Sequence, residues 1–238
     1  MKSVTRRSFV STAAAGMTAI GFLSGSAPAA ESQLVWTSTD WKIAEFNRLV
    51  NNPARIKQVY DVVQIGDGKF LNNVKNSLNG LQFGFAVPKE QIKIAVAMHG
   101  PTNMLNFDDY VWKKYPIGEW LNVKDPATGQ PAERNIYYPA ATLPAGQTPS
   151  TDPDNEHSIY QAKSMQTLQT RGVQFLSCHT ATEEQARALV HTFKLSQSPE
   201  EIVKDMLAHT VPGTLVVASM VAAIALLQAE GHYTYITV

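Results

Sequence analysis

Ile92-Lys93-Ile94-Ala95-Val96-Ala97-Met98 is apolar at every position but one. A strand with one wet face alternates apolar and polar residues, so near-continuous apolarity implies a strand covered on both faces, as in a parallel sheet wrapped by helices. His99-Gly100-Pro101 closes it, because Gly-Pro leaves the backbone no room to continue directly as strand or helix. A helix is expected next, across Leu105 to Trp112.

The rest of the chain alternates in the same sense. Gln58 to Ile65 is a first strand, Gly66-Asp67-Gly68 a tight turn, and Phe70, Leu71, Val74, Leu78 and Leu81 fall on one face of a helix ending near Asn79-Gly80. The spacing of a phosphate loop or dinucleotide fingerprint is missing from that turn. Before it, Ser38-Thr39-Asp40 can cap a helix through Ile43, Phe46, Leu49 and Val50, stopped by Asn51-Asn52-Pro53 and packed outside the domain. Ser158 to Thr170 has helical spacing at Ile159, Ala162, Met165 and Leu168. Val173, Phe175 and Leu176 then form a short strand, and Thr182-Glu183-Glu184-Gln185 has the spacing of a capping box for a helix with Ala186, Leu189, Val190 and Phe193 inside; Thr180 with Glu183 offers the same box earlier. Ser198-Pro199-Glu200-Glu201 is another box, with Ile202, Val203, Met206 and Leu207 as its core face. Thr214 to Ala218, Val221 to Ala229 and Tyr233 to Thr237 complete the pattern as strand, helix and strand. The expected fold is α/β: one three-layer domain with a parallel sheet of about five strands and helices on both faces.

Residues 1–29 have the form of a targeting segment. Lys2 and Thr5-Arg6-Arg7-Ser8-Phe9-Val10 precede a mildly apolar run to Leu23, then Ala27-Pro28-Ala29. Paired arginines before x-Phe-Val match a twin-arginine signal, an address for exporting folded proteins, so a periplasmic location is expected. The expected organisation is a signal peptide over 1–29, an N-terminal extension helix over 30–56 and an α/β domain over 57–238. The most apolar window elsewhere, Leu215 to Leu227, is shorter than the roughly 20 residues a membrane span needs, so no integral membrane segment is expected after signal removal. Losing Lys2, Arg6 and Arg7 leaves 17 basic against 20 acidic residues, a net charge of −3 with no footprint for nucleic acid.

Residues 115–155 break the alternation. Seven of the 13 prolines fall there, so the stretch is an insertion in the α/β domain: a surface-draped loop or a cover over the sheet's ligand edge.

Cys178 is the only cysteine and stands where the 173–178 strand meets a helix. In open α/β sheets chemistry gathers at the carboxyl ends of strands, and a helix start favours a thiolate. An exported chain with one cysteine cannot form an internal disulfide, so the thiol is free, buried or externally paired. Glu183 and Glu184 work against a thiolate, while His99, also at a strand's carboxyl end, and His179 could support it. The alternative for Cys178 is a small apolar residue closing a strand. No spacing among Cys178, His99, His179 and His157 matches a metal motif, no cofactor motif is found, and no Gly-x-Ser-x-Gly elbow is present.

Gly172 to Cys178, Val211-Pro212-Gly213-Thr214-Leu215-Val216-Val217 and Val221 to Ile236 resemble the DsrE/DsrF-like family of small α/β proteins. The most distinctive part is the close of a helix in Gln228-Ala229-Glu230-Gly231 before an aromatic strand, and His99-Gly100 fits the end of the family's second strand. The resemblance spans roughly 57–105 and 158–238. It implies sulfur metabolism, with Cys178 as the persulfide-carrying sulfur acceptor, a sulfur donor or acceptor as partner, and a homo-oligomer. The export signal, the Pro-rich insertion and the N-terminal helix depart from the family pattern, so a cytoplasmic partner does not carry over. The alternative is a non-catalytic periplasmic protein that binds a small-molecule ligand or partner between insertion and sheet.

Overall fold

In the computed structural model, residues 35–140, 142–143 and 147–238 are described. The expected signal peptide lies outside them. Five parallel strands, β1 (Ile56–Val62), β2 (Ile92–Met98), β3 (Gln174–Cys178), β4 (Leu215–Val217) and β5 (Thr234–Thr237), form one sheet in the order β4-β3-β2-β1-β5. The expected three-layer α/β fold is therefore present.

Sheet order dictates which helices share a face. From β1 to β4 the chain steps in one direction, and right-handed crossovers put every connecting helix on one side. These are α2 (Lys69–Asn79), α3 (Asp109–Lys114), α4 (Ile117–Trp120), α5 (Met165–Thr170), α6 (His179–Phe193) and α7 (Pro199–Ala208). Only the return from β4 to β5 runs the other way, so α8 (Met220–Ala229) covers the opposite face beside α1 (Ile43–Val50). Alternation along the strands divides the core accordingly. Tyr60, Val62, Ile94, Val96, Met98 and Phe175 face the larger layer, while Val59, Ala95, Ala97, Leu176, Cys178 and Val217 face α1 and α8.

Several local expectations change. Strand β1 stops at Val62 rather than Ile65, because Gly66, Asp67 and Gly68 all adopt positive φ in a tight turn. Residues 100–106 form a 3-10 stretch and the following α-helix begins only at Asp109, where the Asp108 side chain accepts from the Tyr110 and Val111 N–H groups. Helix α5 begins at Met165 instead of Ser158, with Ser164 as its cap. Helix α1 has Lys42 at its N-cap with no side-chain bond, since the Asp40 carboxylate accepts from Thr37 instead. The box at Ser198 is present, reciprocated by Glu201.

The first half of the 115–155 insertion is part of the core. Tyr115 and Ile117 are fully buried, and Gly118 lies so close to the Ala132 backbone that a Cβ would stand 2.3 Å from the Ala132 carbonyl oxygen. Asn135, 1% exposed, donates to the Leu105 and Phe107 carbonyls, and Arg134 grips Asp125 through two nitrogens. Polar brackets of this kind have no helical or strand period, which is why the sequence shows only prolines there.

Candidate functional site

The carboxyl edge of the sheet carries two sites, one on each face. On the α1–α8 side, β3 runs into α6 without a loop, and Cys178 is both the last strand residue and the helix N-cap. Its Sγ accepts from the Ala181 N–H at 3.4 Å, so α6 begins at His179 and the expected boxes at Thr180 and Thr182 lie inside the helix. Asn103 explains why. Fully buried, its Oδ1 accepts from Ser177 Oγ and the Cys178 N–H, while its Nδ2 donates to Thr182 Oγ1 and Gln185 Oε1. Gln185 in turn donates to the Gly100 carbonyl. A residue 75 positions away thus fixes the junction. Its type carries no sequence signal of that role.

His99 stands beside Cys178. The β2–β3 register ends at Met98 opposite Ser177, and His99 keeps an extended backbone (φ −144°, ψ 176°), so one further step places it next to Cys178 on the same face. Its ring is committed to the other neighbour: Nε2 lies 2.7 Å from Asp61 Oδ1 on β1, and Tyr235 of β5 donates to Asp61 Oδ2 at 2.5 Å. That bond, more than burial, raises the Tyr235 hydroxyl's pKa. Neither Asp61 nor Tyr235 stood out in the sequence; only sheet order brings them to His99.

His179, only 2% exposed, stacks on Trp36 with ring centroids 3.8 Å apart. Burial pushes its pKa down to about 4, with Asp40 opposing. Glu183 lies 3.6 Å from Nε2, but it is itself held by Arg187 at 2.9 Å, and desolvation wins: the ring stays neutral near pH 7. The Cys178 residue is 5% exposed. Strand register therefore brings His99 and Cys178 together, while His179 is occupied beneath Trp36.

On the α2 side, the turn after β1 and residues 136–140 and 156–164 enclose a cleft of about 580 Å³. Leu71, Tyr137, Ile159 and Ala162 line it, with Asp67 and Lys163 on its walls. The roof is pinned to the fold: Met165 and Gln166 donate backbone N–H groups to the Tyr137 and Tyr138 carbonyls, and Asn79 at the end of α2 donates to the Tyr160 carbonyl. Arg171 donates to Asn79 and sits 5.0 Å from the Tyr160 ring centroid. Gly68 is needed here twice over, since its φ is +73° and a Cβ would stand 2.9 Å from the Tyr137 ring. Burial, then the nearby Asp67 carboxylate, raises the Tyr137 hydroxyl's pKa. Neither Asp67 nor Lys163 has an ion-pair partner among the described residues.

His157 lines this cleft and does not join Cys178, and no group of three metal-ligating side chains occurs among the described residues. No helix among them is long and apolar enough to cross a membrane. Compared with protein-family models, curated proteins and solved structures, the chain matches none.

Proposed function

We propose that the protein is an exported, DsrE-like binding protein that takes a small, largely apolar molecule into the cleft beneath residues 136–140 and 156–164. The observation that carries this reading is the cleft itself, about 580 Å³, at the carboxyl edge where α/β sheets hold ligands. Its apolar walls suit an aromatic or alkyl body, and the unpaired Asp67 and Lys163 suit a polar or charged end. A thermal-shift panel of small aromatic and alkyl carboxylates and amines tests it. A saturable rise in melting temperature that Ala162→Trp abolishes is expected; no shift, or a shift that survives Ala162→Trp, overturns it.

A second reading, sulfur carriage as a persulfide on Cys178, is favoured by the thiol's place as N-cap of the 15-residue α6. The step balances without an outside oxidant: the thiolate bonds to the outer sulfur of a donor R–S–SH, the donor's S–S bond breaks, and R–S⁻ leaves with the proton given up by the thiol. The burial of Cys178 places this reading second. Intact mass with and without polysulfide checks it, and an unchanged mass removes it.

In both readings the 1–29 segment directs the protein to the periplasm. Self-association accounts for α8, whose outward Val221 and Leu226 are 68% and 41% exposed on a helix with no charged residue from Met220 to Ala229.

A further inference from the structure

Asp61, His99 and Tyr235 form a hydrogen-bonded chain that the ligand cleft does not use. Asp61 and Tyr235 stand on the adjacent strands β1 and β5, and His99 directly follows β2 on the other side of β1. The strand order reverses its sense between β1 and β5, the position where open α/β sheets place their chemistry. The Asp61 carboxylate only accepts hydrogen bonds, so the His99 nitrogen facing it, Nε2, carries a hydrogen. Tyr235 takes the other carboxylate oxygen and completes the restraint. With that hydrogen on Nε2, Nδ1 is the ring's other nitrogen, and no hydrogen bond among the described residues engages it. The last β2–β3 pair is Met98 opposite Ser177, so His99 and Cys178 are the next residue on each chain.

We propose that Asp61, His99 and Cys178 form an orienter, base and nucleophile, with Tyr235 as a positioning residue on Asp61. No His99–Cys178 hydrogen bond is formed among the described residues, and resting triads are often looser than reacting ones. The proton passes from Sγ to His99 Nδ1, leaving a thiolate at the start of α6 and an imidazolium steadied by Asp61; when the thiolate bonds to a sulfane sulfur, His99 returns the proton to the departing thiolate. This deepens the thiol reading above and is independent of the cleft. A second observation points to a bound group at the same strand–helix junction: His179 Nδ1 is buried with no hydrogen-bond partner among the described residues. Such a nitrogen carries an uncompensated desolvation cost until an incoming group satisfies it.

Because Cys178 is the only cysteine, every thiol label is assignable. The test is the rate of iodoacetamide alkylation of the folded protein against pH, in wild type and in His99→Gln, Asp61→Asn and Tyr235→Phe. The charged and titratable groups at this edge are Asp61 on β1 and Tyr235 on β5 beside His99, and Glu183 on α6 and Asp40 before α1 beside His179; the variants change only the relay among them. We expect His99→Gln and Asp61→Asn to lower the rate at pH 7 by about 100-fold and to change the shape of the pH profile, with a smaller loss in Tyr235→Phe. Unfolding would expose the thiol and speed alkylation, so a fall in rate does not come from a misfolded variant. Wild-type rates and profiles in both His99→Gln and Asp61→Asn overturn the relay, as does a wild-type thiol that reacts only in denaturant. The expected losses without mass gain from polysulfide keep the relay and overturn only the sulfur reading.

Discussion

The two edges of the β1 terminus use opposite means. Toward α1 and α8, strand order lines up Tyr235, Asp61 and His99, and hydrogen bonds tie Tyr235 to Asp61, Asp61 to His99 and the Cys178 N–H to Asn103. Toward α2, the turn at Gly66–Gly68 and the insertion leave space, with Asp67 and Lys163 beside it and without an ion-pair partner among the described residues. A filled edge suits chemistry by residues already in place. An open edge suits a ligand. The difference teaches that one strand can end in two environments, because its side chains alternate while its turn serves only one face.

The sharpest way to break this contrast is Asn103→Leu. Four hydrogen bonds at the β3–α6 junction lose their partner, so a loss of about 3 kcal/mol is expected in urea unfolding, with little change in cleft binding per folded molecule. Gly68→Ala should cost about 1–2 kcal/mol from the left-handed backbone and displace Tyr137, weakening the thermal shift of any cleft ligand. A comparable effect on both edges would merge them into one site.

The pH dependence of stability separates them further. His179 has a folded pKa of about 4 against roughly 6.5 unfolded, so between these values the unfolded chain binds more protons. Its contribution is therefore fully present above about pH 6.5, is lost progressively as pH falls toward 4, and changes no further below that. Replacing it by Phe should flatten the slope of unfolding free energy in that window, read as the difference from wild type. Lys163→Ala should be the mildest, within about 0.5 kcal/mol in stability while still altering the affinity of an anionic ligand.

The sheet was legible because its signals are local and redundant. Ile92–Met98 could be little else than a covered strand, and Ser198 with Glu201 carries its own cap. Helix α6 was found but misplaced by four residues, since Asn103 and the Cys178 sulfur overrule the box at Thr182. Cys178 and His99 could be singled out because each ends a recognisable strand. Asp61 and Tyr235 could not, for their meaning depends on β5 returning to lie beside β1, a long-range pairing with no local trace. The cleft was anticipated only as a cover over the sheet edge, because Asn135, Gly118 and Ala132 pack by polar brackets and close approach rather than by periodicity.

The most direct measurement is hydrogen–deuterium exchange of the protein with and without the panel compound that raises its melting temperature most. Protection within residues 66–71, 136–140 and 156–164, with 177–183 unchanged, is the result this account predicts. Protection at 177–183 with none at 66–71, 136–140 or 156–164 would contradict it and move the ligand to the cysteine edge.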